Sequence, residues 1–115
     1  MTLNLAIKLF VFLMLFEQAY TELELIDRHI LVLKFVVERG PIGILKLSEE
    51  TGMQAHKVRY SLRILEQNGL IKPSQQGAIA GDNVAPFLQC VEERYESIRK
   101  LVGAIETTEK SIQKN

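Results

Sequence analysis

Residues 44–71 carry the clearest pattern of apolar and polar positions in the chain, and this pattern predicts two short helices and a strand. The first helix should place three apolar residues on one side: Ile44, Leu45 and Leu47. The second should run over about 55–68 with its own apolar stripe: Val58, Leu62 and Leu65. Thr51-Gly52 and Asn68-Gly69 are the expected ends, because glycine readily takes the left-handed backbone that closes a helix. Two short helices joined by a glycine turn form a helix-turn-helix unit.

The segment before this unit predicts a longer helix. Thr21-Glu22-Leu23-Glu24 has the form of a capping box, in which the Thr hydroxyl accepts a hydrogen bond from the backbone N–H of Glu24. The helix should therefore run from about Glu22 to Arg39, where Gly40-Pro41 stops it. Its expected core stripe has helical spacing: Ile26, Ile30, Leu33 and Val37. This helix would be the first of a three-helix core, and Gly43 would be a weak N-cap of the next.

A short hairpin is predicted directly after the second helix of the unit. Leu70 to Pro73 should form one strand, residues 74–77 a turn, and Ala78 to Ala80 the returning strand. Pro73 has no backbone N–H, so its strand must have a free edge. A two-stranded ribbon in this position is a wing, and it can touch DNA beside the helix that enters the groove.

The C-terminal pattern predicts one long helix from Val84 to about Lys110 or beyond, with Asp82-Asn83 as its cap and Pro86 in its first turn. Its apolar residues follow a seven-residue spacing that Phe87, Leu101 and Val102 widen: Val84, Val91, Ile98, Ile105 and Ile112. Such a seam favours a two-stranded coiled coil. We therefore expect a dimer interface made by Val84, Phe87, Val91, Ile98, Leu101, Ile105 and Ile112; the alternative is packing on residues 3–16 of the same chain.

The apolar start, residues 3–16, has several interpretations. A signal peptide should begin with positive charge, whereas Lys8 lies inside the run and Glu17-Gln18 follow it. A membrane span needs about 20 apolar residues, more than this run supplies. The favoured interpretation is a buried helix that packs on the C-terminal helix or across a dimer interface. Initiation at Met14 would remove the run, and attachment to a membrane through residues 3–16 is a weaker alternative.

Charge and composition narrow the function. A chain of 115 residues with 47% hydrophobic residues fits one globular domain with an accessory helix. The formal net charge is zero, which counts mildly against DNA binding. Between residues 56 and 72, however, the charge is locally positive, because only Glu66 opposes four cationic residues: Lys57, Arg59, Arg63 and Lys72.

Candidate reactive residues are few. Cys90 is the only cysteine, so no intrachain disulfide can form; we expect a packing residue and a reducing cytoplasmic location. His29 and His56 lie on different predicted helices, and His29 is expected at the boundary of the core. The sequence has no metal-ligand spacing, no nucleophile–base arrangement and no phosphate-binding glycine loop. We therefore expect no catalysis, no cofactor, no metal site and no small-molecule effector.

The segment from Gly40-Pro41 to Gly77 resembles winged helix-turn-helix transcriptional regulators of the broad bacterial and archaeal MarR/ArsR-like type. The matching residues are Leu47-Ser48-Glu49-Glu50-Thr51-Gly52-Met53, Val58, Leu62, Leu65-Glu66 and Asn68-Gly69-Leu70-Ile71. The resemblance implies dimerisation through terminal helices and operator binding. The chain departs from the family in having Gln54 at the usual Ser/Thr cap, no Cys/His metal cluster and no effector domain.

The helix that begins near Ala55 should present one polar face to DNA. Arg59 can donate two hydrogen bonds to guanine, His56 can reach a base edge or a phosphate, and Tyr60 can reach a phosphate or a thymine methyl. Arg63 and Lys57 should meet phosphates. The full set of expected contacts is Gln54, Ala55, His56, Lys57, Arg59, Tyr60 and Arg63, with Lys72, Gln75 and Gln76 from the wing. The simpler alternative is a solvated helix face.

Together these observations predict a mainly α protein, a small α+β fold with a winged helix-turn-helix three-helix core and a short wing. An apolar N-terminal helix (1–20) and a long C-terminal dimerisation helix (83–115) should flank the DNA-binding domain (21–82). The expected function is that of a dimeric, sequence-specific, cytoplasmic transcription regulator that binds double-stranded DNA. The alternative is a winged-helix module that binds protein and no DNA.

Overall fold

The computed structural model describes residues 2–113 of the chain, with side chains from Asn4 onward. The elements in chain order are α1 (Thr2–Arg39), α2 (Ile44–Thr51), α3 (Ala55–Gln67), β1 (Ile71–Ser74), β2 (Gly77–Ala80) and α4 (Val84–Gln113). The prediction of a mainly helical protein with a small antiparallel sheet is confirmed. Among the described helices, none combines the length and apolar character that a membrane crossing requires. Met1 and the last two residues of the predicted C-terminal helix, 114 and 115, lie outside the described range.

The predicted helix start at Thr21 is wrong, because α1 is a single helix of 38 residues that passes through the capping-box sequence. No glycine or proline occurs between Thr2 and Arg39, so nothing ends the helix formed by the apolar start. Extending an existing helix costs less free energy than nucleating a new one. A Thr-x-x-Glu sequence therefore caps a helix only where the preceding residues leave the helical conformation.

The core lies where α1, α2, α3 and the sheet meet. Its buried apolar residues are Val32, Leu33, Val36, Ile42, Leu47, Val58, Leu65, Leu70 and Ile71. The predicted stripe of α1 is rotated from the observed one, because Ile26 and Val37 are exposed and Val32 and Val36 are buried instead. Apolar residues surround this part of α1 on several sides, so helical spacing alone did not select the buried face.

The segment Ile44–Gln67 folds as predicted, with two helices joined by a tight turn. Gly52 adopts the left-handed backbone, with φ of 73°, and its N–H donates to the carbonyl of Ser48. The Ser48 hydroxyl donates to the carbonyl of Met53 at 2.6 Å, which fixes the turn to α2. Leu45 is a departure from the predicted apolar side, because it is largely exposed while Leu47 is fully buried.

Strands β1 and β2 form an antiparallel pair in which Pro73 lies opposite Ala78. The backbone N–H of Ala78 donates to the carbonyl of Ile42 at 2.8 Å, and the N–H of Ile42 donates to the carbonyl of Ala78 at 3.1 Å. Ala78 therefore uses its backbone groups on the side away from β1, where a proline would leave it without a donor. The prediction that Pro73 lies on a strand with a free edge is confirmed.

The start of α4 is placed by contacts other than the predicted cap. The Asn83 side-chain amide donates to the carbonyl of Asn68 at 3.0 Å, and the Asp82 carboxylate accepts from Lys72, so both side chains hold the C-terminal end of α3 and the hairpin. The predicted capping role of Asp82-Asn83 is thus replaced by tertiary contacts. Phe87 and Val84 pack at the edge of the core. Beyond Tyr95, every described residue of α4 is exposed.

We call residues 4–20 of α1 the N-terminal arm. All of its side chains are exposed, including Phe10, Phe12 and Phe16. The prediction that residues 3–16 pack on the C-terminal helix of the same chain is therefore wrong for the described side chains. The physical reason is that α1 continues straight beyond the core, so the arm projects from it. Packing across a dimer interface stays a prediction.

Candidate nucleic-acid interface

Helix α3 separates a buried side from an exposed polar side. Val58, Ser61 and Leu65 are buried, whereas the exposed set consists of His56, Lys57, Arg59, Tyr60 and Arg63. In a helix of 3.6 residues per turn, His56, Arg59, Tyr60 and Arg63 share one face opposite the buried residues. The structure thus brings together the side chains that the sequence grouped, and leaves them open to solvent.

Three cationic side chains on this side of α3 have no acidic partner within ion-pair distance among the described residues: Lys57, Arg59 and Arg63. Glu66, one turn further along, is exposed and flanks the same face. Guanidinium and ammonium groups that are already hydrated and unpaired can meet a phosphate without first breaking a protein ion pair. The face can therefore bind an anion of extended shape.

The N-terminal end of α3 lacks a side-chain cap. Gln54 occupies the N-cap position, and its side chain makes no capping hydrogen bond. Its backbone carbonyl accepts from the N–H groups of Lys57 and Val58, at 3.0 and 3.1 Å. The expectation of a weaker helix start at Gln54 agrees with this geometry. Ala55 is half-buried, so it offers less surface to a ligand than the residues that follow it.

A contact that the sequence did not reveal joins α3 to α1. Nδ1 of His29 lies 2.7 Å from the hydroxyl oxygen of Ser61, which is almost fully buried. The ring of Tyr60 lies beside the His29 ring, with centroids 5.7 Å apart. One side of Tyr60 is thus used for packing, while 42% of the residue stays exposed. Helical spacing places Ser61 on the buried side of α3, and that position was the only available signal.

Burial lowers the pKa of His29 from its ordinary value, and the nearby Arg28 guanidinium lowers it further. The neutral imidazole is therefore favoured in the folded protein. A neutral ring can accept the hydroxyl proton of Ser61 at Nδ1, whereas a protonated ring can only donate there. The half-buried position of His29 confirms the expected place at the boundary of the core.

The flank of α3 next to α1 has mixed charge. Lys57 lines a shallow cavity of about 240 Å³ together with Thr21, Glu24, Asp27 and Arg28. Two carboxylates therefore lie near the first turn of α3 and reduce the positive potential at Lys57. A polyanion should consequently approach from the side of Arg59 and Arg63 rather than from the side of α1.

The hairpin offers fewer free charges than expected. Nζ of Lys72 lies 3.0 Å from a carboxylate oxygen of Asp82, so its charge is locally balanced, although both side chains are exposed. Gln75 and Gln76 form the exposed tip, and the Ser74 hydroxyl donates to the carbonyl of Gly77 across the turn. The tip can therefore contribute hydrogen bonds, while Lys72 must leave Asp82 or share its charge to meet a phosphate.

Helix α4 borders an open apolar groove of about 600 Å³ between α1, α3 and the first half of α4. Its walls include Ile26, Ile30, Phe87, Val91 and Ile98. Cys90 lines the same groove and is exposed, so the prediction that it is a packing residue is wrong for this chain. The reason is that α4 stands away from α1 at this point. The predicted interface residues of α4 divide accordingly. Val84, Phe87 and Val91 are half-buried, and the exposed ones are Ile98, Leu101, Ile105 and Ile112.

The described part of the chain contains no group of three or more His, Cys, Asp or Glu side chains arranged to hold a metal ion. Compared with known proteins, the chain matches no protein-family model and no curated protein. The functional argument therefore depends on the geometry of the chain itself.

Proposed function

We propose that this chain is a winged-helix DNA-binding protein that acts as a dimeric transcription regulator in the cytoplasm. The observation that carries the proposal is the exposed side of α3, where Lys57, Arg59 and Arg63 have no ion-pair partner among the described residues and lie opposite or beside the helix's core contacts. A short helix with one packing side and one cationic side suits insertion into the major groove.

The arrangement of elements around α3 supports the winged-helix assignment. The second half of α1 with α2 and α3 surrounds one apolar core, and a hairpin follows α3 directly. Ile42 bridges to Ala78 on the far side of β2, so the residue before α2 is tied to the hairpin. The hairpin is consequently held in a fixed position beside α3, as a wing that flanks a bound duplex requires.

In the proposed complex, α3 reads base edges and its flanks hold the backbone. Arg59 would donate to guanine O6 and N7, and His56 and Tyr60 would contact neighbouring bases or phosphates. Arg63 and Lys57 would bind phosphates. The wing would add hydrogen bonds from Gln75 and Gln76 and the charge of Lys72 to the backbone or minor groove.

Pairing of two chains through α4 would present two α3 helices to one face of the duplex. Recognition helices of such dimers enter successive major grooves about 34–36 Å apart, so the operator should be a pseudo-palindrome. The exposed apolar residues of α4, from Ile98 to Ile112, support this pairing, because an isolated chain leaves them in water.

A protein-binding winged helix is the second candidate. The zero formal net charge favours it, as do Glu24 and Asp27 near Lys57. Fluorescence anisotropy with a labelled random duplex at 50 and 200 mM salt separates the two. We expect binding at 50 mM that weakens strongly at 200 mM. Absence of binding at 50 mM would contradict the DNA-binding proposal and favour the protein-binding module.

The same assay locates the binding surface. Replacing Arg59 and Arg63 together by alanine should weaken duplex binding by at least about tenfold, because each removes a charge-assisted contact. Arg99→Ala is the matched control, since Arg99 is an exposed arginine on α4 paired with Glu92 and Glu96, far along the chain from α3. Equal losses for both variants would show that binding depends on overall charge and not on α3.

A further inference from the structure

The largest feature without a structural role is the apolar surface of the N-terminal arm. Between Leu5 and Phe16, ten large apolar residues are each 41–64% exposed. These residues lie on all sides of the helix, so no rotation of α1 about its axis could bury them against the core. Exposure of this size leaves on the order of 1,000 Å² of apolar surface per chain, more than the ~800 Å² that each partner contributes to a standard interface.

A complementary surface lies on α4. Its second half carries exposed apolar residues from Ile98 to Ile112 that no described part of the chain covers. Val37 and Val84 line one groove between α1 and α4, and Ile26 and Ile98 line the other. As α4 proceeds, it therefore passes residues progressively nearer the start of α1. The second half of α4 and the arm thus leave the core on the same side, each with an open apolar surface.

We propose that the N-terminal arm of one copy packs against the second half of α4 of a second copy. By the two-fold symmetry of such a dimer, the contact forms twice, and two arms and two α4 helices make a four-helix interface. In that arrangement an arm is surrounded by helices on several sides, which suits a helix that is apolar all round. The inference rests on the proposed dimer but not on DNA binding.

The charges along α1 favour a second copy over a lipid surface. Lys8 is the only cationic residue of the arm, and Glu17, Glu22 and Glu24 follow at the core-proximal end. Anionic lipids attract clusters of Lys and Arg and repel acidic residues. A helix that lies in a bilayer surface also needs a strongly polar face, which the arm lacks.

The mass in solution tests the inference. Light scattering of the full chain at micromolar concentration should give about 26 kDa, twice the chain mass of 13.1 kDa. Replacing Phe12 and Phe16 together by Asp should shift the protein to the monomer, with a dimer dissociation constant raised at least about 100-fold. Ile105→Asp should act in the same way. These side chains are exposed in the single chain, so circular dichroism should show an unchanged helical core.

Gln18→Asp is the matched control, because it places the same charge on an exposed polar position of the arm and should leave the dimer intact. A dimer that survives the Phe12 and Phe16 substitutions would overturn the inference and leave pairing through α4 alone. A monomeric wild-type protein that floats with vesicles of 70% phosphatidylcholine and 30% phosphatidylserine would overturn it in favour of a lipid surface.

Disulfide trapping tests which helices meet. In a Cys90→Ser background, Phe12→Cys protein mixed with Ile105→Cys protein should give a mixed disulfide on mild oxidation. The control pairs Phe12→Cys with Lys100→Cys, because Lys100 lies on the opposite side of α4 from Ile105. A mixed disulfide equally frequent in both pairs would overturn the arm-to-α4 contact. Because the dimer mass is measured without DNA, a failure of duplex binding leaves this inference unaffected, and its own failure leaves duplex binding unaffected.

Discussion

The salt dependence of DNA binding should change by a countable amount when Arg63 is replaced by alanine. The proposed phosphate contacts are Lys57 and Arg63 from α3, with Lys72 from the wing where it leaves Asp82. Two to three contacts per chain give about 4–6 per dimer. Each neutralised phosphate contributes about −0.9 to the slope of log K against log salt concentration, so the slope should lie between about −3.6 and −5.4.

Arg63→Ala removes two of these contacts from the dimer, so the slope should become shallower by about 1.8. Anisotropy titrations of one duplex at four or five salt concentrations from 50 to 200 mM measure it. Arg99→Ala removes the same formal charge from α4 and should leave the slope unchanged. An Arg63→Ala slope equal to that of the wild type would refute the assignment of Arg63 to phosphate, and an equal change in both variants would refute the localisation to α3.

Three further measurements follow from the geometry. Arg59→Ala should cost about 1–3 kcal/mol on the selected operator and relax specificity at one base pair in a duplex-selection experiment; a uniform loss across sequences would reassign Arg59 to the backbone. Because the pKa of His29 is lowered in the folded state, the unfolded chain binds more protons between that pKa and 6.5, so the free energy of unfolding should fall as pH drops below 6.5. Urea titrations at pH 7.5 and 5.5 should show this loss, and His29→Gln should reduce it; an equal loss in the variant would show that another group titrates. Gly77→Ala should lower the free energy of unfolding by about 1–3 kcal/mol, because φ is 133° and a Cβ would lie 2.5 Å from the Ile42 backbone. Gly103→Ala, in open space on α4, should raise it by up to about 1 kcal/mol; denaturation that gives both variants the same sign would contradict this strain argument.

The sequence predicted the local elements from Ile44 to Ala80 well, because each boundary there is set by a nearby residue. Gly52 and Gly69 have the positive φ that ends a helix, at 73° and 71°, and Gly77 opens the returning strand. Pro73 places the free strand edge. Such signals act within one turn, so a single sequence is sufficient to find them.

The sequence did not predict α1 as one helix, nor which of its sides is buried. The capping box at Thr21 is a local signal, and the continuation of the helix depends on the absence of any residue that would stop it over 38 positions. The burial of Val32 and Val36 rather than Ile26 and Val37 depends on where α2, α3 and the sheet lie. Such burial is a tertiary effect that helical spacing cannot resolve where most positions are apolar.

The grouping of the candidate site was predictable, whereas the surroundings of its residues were not. Helical spacing alone places His56, Arg59, Tyr60 and Arg63 on one side of α3. The contact of Tyr60 with His29 and the ion pair of Lys72 with Asp82 join residues far apart in sequence. The exposure of Cys90 likewise depends on the distance between α4 and α1, which no local pattern encodes.

The zero net charge is compatible with DNA binding when the placement of charges is considered. Arg39, Lys46, Lys72 and Arg99 each lie within ion-pair distance of a carboxylate, so much of their field is cancelled at short range. At physiological salt a charge is screened within about 8 Å, so a bound duplex senses the groups it touches and not the total. A neutral protein gains little from non-specific attraction, however. Its selectivity must then come mainly from base contacts, which gives Arg59 more weight in this protein than it would have in a strongly basic one.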